Sequence, residues 1–310
     1  VLPEQGGGMR IVLLGKNGQV GWELQRALAP LGELLALDRH SESVAGLSVC
    51  GNLLDLHSLR AGLSALRPDV IVNAAAHTAV DKAESDVDNA RCINADAAGV
   101  MAEVAASLGA TLLHYSTDYV FDGSGDTPWR EDAATGPLSV YGATKLAGEQ
   151  AIRASGCRHI ILRTSWVYAA RGGNFARTML RLAAERDSLN VVADQIGAPT
   201  GADLIADVST HVLRALRADP GLSGTYHLAA AGATSWHDYA RHVIEWARSH
   251  GHAVRVAAEA VRPIASSAYP TLARRPLNSR LDCRRLEASF GLKMPPWQLG
   301  VERMLSEVLG

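Results

Sequence analysis

After Met9 the chain alternates short, wholly apolar runs with stretches whose apolar residues recur every three or four positions. Ile11-Val12-Leu13-Leu14 stops at Gly15 and reads as a strand buried on both faces. Val20, Leu24 and Leu28 mark one helix face, ended by Pro30 and Gly32. Leu34–Leu37, closed by Asp38, predicts a second strand. Leu56–Leu66 predicts a helix stopped by Pro68, and Val70–Asn73 a third strand. The Ala-rich stretch Asn89–Leu108, ending at Gly109, predicts one long helix. Thr111–Tyr115 predicts a strand, Val140–Ala154 a helix capped near Thr135, and Ile160–Leu162 a strand running toward Trp166. Strands alternating with helices predict right-handed βαβ units: an α/β fold with a Rossmann-type, doubly wound parallel sheet.

Past Tyr168 the rhythm loosens. Helices are predicted over Phe175–Glu185, Ala202–Leu216 and Ser235–Ser249, with short strands at Leu189–Ala193 and Thr225–Leu228. This pattern predicts a smaller C-terminal substrate domain. The expected division is a dinucleotide-binding domain over 9–170 with a return segment at 201–229, and a substrate domain from 171–200 and 230–310. Residues 1–8 lack an apolar core, so they are no secretory signal; they read as a leader or a tag scar before a start at Met9.

Composition narrows the classes. The 310 residues carry 30 Lys and Arg against 32 Asp and Glu, a net charge of -2, which gives no footprint for nucleic acid or an anionic membrane. No apolar run approaches the roughly 18 residues that would span a bilayer. Cys50, Cys92, Cys157 and Cys283 are scattered without a CxxC pair, which points to reduced thiols in the cytoplasm rather than disulfides or structural zinc.

The first chemistry-bearing motif is Gly15-Lys16-Asn17-Gly18-Gln19-Val20-Gly21, between the first strand and the first helix. Glycines there permit a tight turn, backbone approach to a pyrophosphate, and close helix–strand packing. The helix N-terminus then turns free N–H groups toward the anion. Asp38 ends the second strand 20 residues after Gly18, where a carboxylate would meet the adenosine ribose 2′-OH of NAD. Arg39 beside it could instead meet the 2′-phosphate of NADP, and Asp38 also suits a plain turn.

The second motif is Tyr141-Gly142-Ala143-Thr144-Lys145, with phenol and amine one helical turn apart. An ammonium beside a phenol is expected to lower the phenol's pKa and make Tyr141 a general acid at neutral pH. Ser116-Thr117-Asp118 is expected just beyond a strand, at the carboxyl edge where ligands of such sheets bind. An ordinary surface pair and a turn or helix cap are the plainer readings of these two motifs.

The three motifs, in this order, resemble the extended short-chain dehydrogenase/reductase superfamily. Further runs are similar to the dTDP-4-dehydrorhamnose reductase family: Val72-Asn73-Ala74-Ala75-Ala76-His77-Thr78-Ala79-Val80-Asp81, His114–Phe121, Arg163–Tyr168, Gly197-Ala198-Pro199-Thr200, Tyr226-His227-Leu228 and Asn278-Ser279-Arg280-Leu281. The resemblance spans Met9 to about Leu305. It implies reduction by NADPH or NADH of the C4 ketone of dTDP-4-dehydro-6-deoxy-L-mannose to dTDP-L-rhamnose. In that reading the cofactor pyrophosphate sits on Gly18, Gln19 and Val20 of a cofactor-binding turn that includes Gly15 and Gly21, Asp38 approaches the ribose, and Asn52 and Leu53 flank the adenine. Ala75, Ala76, His77 and Thr78 line the path to the nicotinamide. Tyr141, Lys145 and Thr117 form the catalytic set: Tyr141 is the proton donor, Tyr141 and Lys145 also line the cofactor, Lys145 holding the nicotinamide ribose, and Thr117, Asp118 and Trp166 meet the sugar. Without the resemblance, Trp166 reads as a core aromatic.

Some family members are linked as homodimers through Mg²⁺ on acidic side chains. The matching positions are Glu23, Asp203 and Gln298, and the uncharged Gln298 argues against an equivalent metal. His237 and His242 are five apart, poor spacing for joint metal ligation. The pairs Arg274-Arg275 and Arg284-Arg285 read as solvated faces, and Trp236, Trp246 and Trp297 as core or interface residues. Two other functions fit the same motifs: a catalytically silent, NADP-binding regulatory subunit, and a reductase or epimerase of another nucleotide sugar.

Overall fold

The computed structural model describes residues 8–44 and 47–310; of the stretch 1–8 read as a leader, residues 1–7 lie outside them. Six strands form the central sheet: β1 Met9–Leu14, β2 Gly32–Leu37, β3 Val70–Asn73, β4 Thr111–Thr117, β5 Arg158–Thr164 and β6 Gly224–His227. Their spatial order is β2-β1-β3-β4-β5-β6, every neighbouring pair parallel. The winding reverses between β1 and β3, which opens a crevice at the carboxyl ends of the strands.

The continuous apolar runs follow from burial on both faces. Ile11 and Leu13 join one core with Leu24 and Leu28 of helix α1 (Gln19–Leu28) and Ile205, Val208 and Val212 of helix α6 (Ala202–Ala218). Val12 and Leu14 face the other way. There they meet Leu59 and Leu63 of helix α2 (Leu56–Leu66), Met101 of helix α3 (Ala97–Leu108) and Ile152 of helix α4 (Val140–Ala154). Helix α6 and β6 thus return the chain to the sheet. A third core gathers Met179 of α5 (Phe175–Glu185), Tyr239 and Val243 of α7 (Trp236–Ser249), and Trp297 and Val301 of helix α9 (Trp297–Leu309). Leu286 and Phe290, on helix α8 (Arg284–Phe290), pack into the sheet's own core instead.

Three local expectations are corrected. Strand β4 continues to Thr117, so Ser116 and Thr117 lie inside it; they pair with Arg163 and Thr164 of β5, and Ser116 finds a buried partner in Glu149 at 2.6 Å. The cap of α4 is Ser139, not Thr135: its Oγ accepts from Gly142 N at 3.2 Å. The long Ala-rich helix is interrupted. A helical turn at Val87–Arg91 leads into a π-helical turn at Cys92–Asp96 before α3 begins. The wider turn lets α4 approach closely: a Cβ on Gly148 would stand 2.2 Å from Asn94 O.

Candidate active site

The glycine turn is anchored to β2, whose Leu37 O accepts from Gly15 N at 3.0 Å and from Lys16 N at 3.2 Å. Gly15 has φ +88, and a Cβ there would sit 2.7 Å from Ala75 N. At Gly21 a Cβ would lie 2.0 Å from Gly15 O. These two glycines are demanded by the protein itself. Gly18 differs: its Cβ would meet only Gly15 O, at an ordinary 3.5 Å. Gly18 caps α1 without a side-chain hydrogen bond, so the first N–H groups of the helix, on Gln19, Val20 and Gly21, have no capping side chain. A bare glycine in front of uncapped N–H groups suits close approach of a phosphate.

Asp38 stands beside this turn. Its carboxylate accepts from Asn17 Nδ2 at 2.8 Å and from His40 N at 2.7 Å, and the His40 bond first of all holds its pKa below the ordinary value. The chain returns past it at Gly51, where a Cβ would stand 2.4 Å from Asp38 O, so Asn52 and the buried Leu53 follow directly. Ala75, Ala76, His77 and Thr78 leave the end of β3. His77 is fixed there by Asn94 of the π-helical turn, whose Oδ1 accepts from His77 N at 2.9 Å and whose Nδ2 donates to His77 O at 3.2 Å. The same Nδ2 lies 3.1 Å from Thr144 Oγ1 on α4. Asn94 therefore ties the β3 segment to the tyrosine–lysine helix, a role that the expected regular helix over 89–108 does not reveal.

On α4, Tyr141 is half-buried and Lys145 fully buried. The expected lowering of the phenol's pKa by the lysine is overturned. Lys145 Nζ donates to Tyr115 O at 2.6 Å and lies 3.2 Å from His114 Nε2, so it is directed into β4. Burial pushes the Tyr141 phenol up to about 12; a hydrogen bond with Thr117 opposes the rise, and the charge of Asp118 adds to it. Burial takes Lys145 down to about 8, against the pull of Glu149. Burial also lifts the Asp118 carboxyl to about 6, opposed by hydrogen bonds from Ser279 and Thr117. Ser279 thus brings the C-terminal part of the chain into the site.

A charged floor lies beneath. Glu149 accepts from Arg163 Nε at 2.8 Å and Nη2 at 2.7 Å, and from Arg153 Nη1 at 3.1 Å. Burial raises the Glu149 carboxyl, but the bonds and charge of Arg163, with Ser116 and Arg153, carry it below its ordinary value. Among the described residues, His77 Nδ1, Asp118 Oδ2 and Thr164 Oγ1 are buried polar atoms without a hydrogen-bond partner. All three stand at or just past the carboxyl ends of β3, β4 and β5, where a polar ligand would satisfy them.

Trp166 follows β5 with φ +49, a conformation that a bulky residue adopts only under constraint. Its ring stacks on Trp236 at 3.6 Å and needs Gly197, where a Cβ would lie 2.6 Å from it. The arginine pairs divide: Arg275 is bound to Asp81, with Nη2–Oδ2 at 2.6 Å, whereas Arg284 pairs with Asp282. Glu23 and Asp203 each face an arginine, Arg26 at 3.6 Å and Arg303 at 3.3 Å. Among the described residues no three His, Cys, Asp or Glu side chains gather as metal ligands, no helix is long and apolar enough to cross a membrane, and the four cysteines are free.

Residues 9–309 match the family model described as the RmlD substrate binding domain. The chain is 54% identical over 300 residues to the dTDP-4-dehydrorhamnose reductase of Shigella flexneri, covering 97% of this chain and 98% of that one. The Escherichia coli K12 enzyme of that name is 53% identical over the same shares. The chain belongs to the dTDP-4-dehydrorhamnose reductase family. Among solved members of the family, the Bacillus anthracis reductase in complex with NADP superposes with a TM-score of 0.83 at 32% identity, covering 97% of this chain and 99% of that one. The Clostridium acetobutylicum reductase gives 0.84 at 33% identity, covering 97% and 100%.

Proposed function

We propose that the chain reduces the C4 ketone of dTDP-4-dehydro-6-deoxy-L-mannose to the alcohol of dTDP-L-rhamnose with NADPH or NADH. One observation carries the reading: in a chain matched to this family over residues 9–309, the Thr117 hydroxyl, at the carboxyl end of β4, lies close enough to the Tyr141 phenol to oppose the rise of its pKa. The glycine turn and the uncapped start of α1 fit a dinucleotide pyrophosphate, held by Gly15, Gly18, Gln19, Val20 and Gly21. Asp38 receives the adenosine ribose, Asn52 and Leu53 flank the adenine, and Ala75, Ala76, His77 and Thr78 line the nicotinamide side. When bound, the reduced nicotinamide supplies the hydride.

The residues of the chain do the rest. Tyr141, kept neutral by burial, donates its proton to the ketone oxygen as negative charge develops there. A raised pKa suits this direction, because the phenol stays protonated at neutral pH and is still a stronger acid than the alcohol it forms. Thr117 orients the same oxygen. Asp118, whose Oδ2 lacks a partner, accepts from a sugar hydroxyl, and Trp166 packs against the ring. Lys145, fixed to β4, steadies the nicotinamide ribose.

We assign residues 9–170 and 201–229 to cofactor binding, and 171–200 and 230–310 to the sugar nucleotide. We place the reaction in the cytoplasm, where four free thiols stay reduced. The test is NADPH and NADH consumption with the dTDP ketosugar against its UDP and GDP counterparts. Turnover with the dTDP substrate alone is expected. Cofactor binding without turnover on any of the three would favour a silent regulatory subunit, and turnover on another nucleotide would reassign the substrate.

A further inference from the structure

Lys145 is met from β4 by two groups, Tyr115 O at 2.6 Å and His114 Nε2 at 3.2 Å. The far side of that imidazole, Nδ1, lies 3.1 Å from Asn73 Nδ2 at the end of β3. Asn73 and His114 are each 1% exposed, and neither has a part in the steps above. The orientation of the Asn73 amide is set from outside. The backbone N–H of Ala75 can only donate, and it lies 3.2 Å from Asn73 Oδ1. The amide nitrogen must therefore face the imidazole and donate to Nδ1. A neutral imidazole has one N–H and one lone pair. With the Nδ1 lone pair taken, the proton sits on Nε2 and points at Lys145. Burial first of all holds His114 well below its ordinary pKa, and an ammonium on Lys145 would only lower it further, so the ring is not doubly protonated.

An N–H aimed at Nζ needs a lone pair there, and an ammonium has none. We propose that Asn73 and His114 are positioning residues for Lys145: the amide fixes the Nε2–H tautomer, and that N–H donates to Nζ and favours the neutral amine in the cofactor-free chain. Placing a proton on Nζ reverses the string. Nε2 must then offer its lone pair, Nδ1–H must face Asn73, the amide must turn, and Ala75 N–H is released. Ala75 opens the segment assigned above to the cofactor, so the charge on Lys145 is coupled to that backbone; this last link alone rests on the proposed function. The titratable and charged groups that act on Nζ are Glu149 on its own helix, which is paired with Arg163 of β5, and His114 on β4.

Long-range ¹H–¹⁵N spectra of the cofactor-free, histidine-labelled chain report the tautomer of each imidazole. The His114 signals are assigned by their loss in His114→Gln. The expected result is Nε2–H in the parent chain. In Asn73→Asp one carboxylate oxygen keeps the Ala75 N–H and the other accepts Nδ1–H, so the tautomer switches. The pH midpoint of Lys145, followed by its ¹³Cε chemical shift in lysine-labelled chain without cofactor, then rises by about one unit. An Nδ1–H tautomer in the parent chain overturns the proposal, as does a folded Asn73→Asp with unchanged tautomer and midpoint. If Asn73→Asp does not fold, the parent tautomer decides alone. None of these readouts uses substrate, so a chain inactive on every ketosugar would sink the proposed function and leave this result standing.

Discussion

The glycine turn after β1 and helix α4, which carries Tyr141 and Lys145, are built in opposite ways. The turn works by what is absent: Gly15 and Gly21 leave no room for a side chain, and Gly18 leaves space in front of a helix end. Helix α4 works by what is brought to it from distant strands: Arg163 to Glu149, His114 to Lys145, and Thr117 to Tyr141. The first site is encoded locally. The second exists only after the sheet has formed: burial sets the pKa values of Tyr141 and Lys145, and Arg163 from strand β5 sets that of Glu149.

The comparison breaks most sharply at Tyr141. Tyr141→Phe should leave cofactor affinity unchanged by fluorescence titration and lower kcat by about 10²–10⁴. Near-normal turnover would remove the phenol from the acid role. Next in size is Glu149→Gln, which leaves the buried Arg163 guanidinium unpaired and should cost about 3–5 kcal/mol in denaturant unfolding. The pH dependence has a definite sign. The Glu149 carboxyl is held below its ordinary value, so its contribution is complete above the unfolded pKa of about 4.3 and is lost as pH falls through the folded value. The parent chain should lose stability toward acid more steeply than the variant.

The turn predicts a contrast between two glycines. Gly21→Ala should destabilise by about 1–3 kcal/mol, because a Cβ there collides with Gly15 O. Gly18→Ala should stay within about 0.5 kcal/mol of the parent. It should still weaken the cofactor about tenfold, close to 1.4 kcal/mol of binding. Equal stability losses at the two positions would mean that Gly18 serves the fold and not a ligand. The smallest effect expected is none. Because Glu23 and Asp203 face Arg26 and Arg303, sedimentation should be unchanged by EDTA, and a chelator-sensitive dimer would contradict this.

The sequence was legible wherever a local pattern has one structural solution. Ile11–Leu14 and Val70–Asn73 could be little but buried strands, and the turn at Gly15 followed from a strand, glycines and a helix in succession. Legibility failed where partners come from far along the chain. Nothing near Glu149 announces Arg163, and nothing near Asp118 announces Ser279. The π-helical turn at Cys92–Asp96 has no compositional mark, because Asn94 earns its place through His77 and Thr144 in three dimensions. The acidity of Tyr141 escapes the sequence for the same reason: a spacing of four suggests a charge pair, whereas strand β4 takes the amine for itself.

The fit of the Trp166 ring against Gly197 bears on any attempt to reshape the pocket. A library that varies position 166 alone searches only rings flat enough to lie on a residue without a side chain, on a backbone that larger groups tolerate badly. Varying 166 together with 197 is a different search. A small residue at 166 would free volume for a methyl group at 197, and the two positions should be treated as a single unit of design.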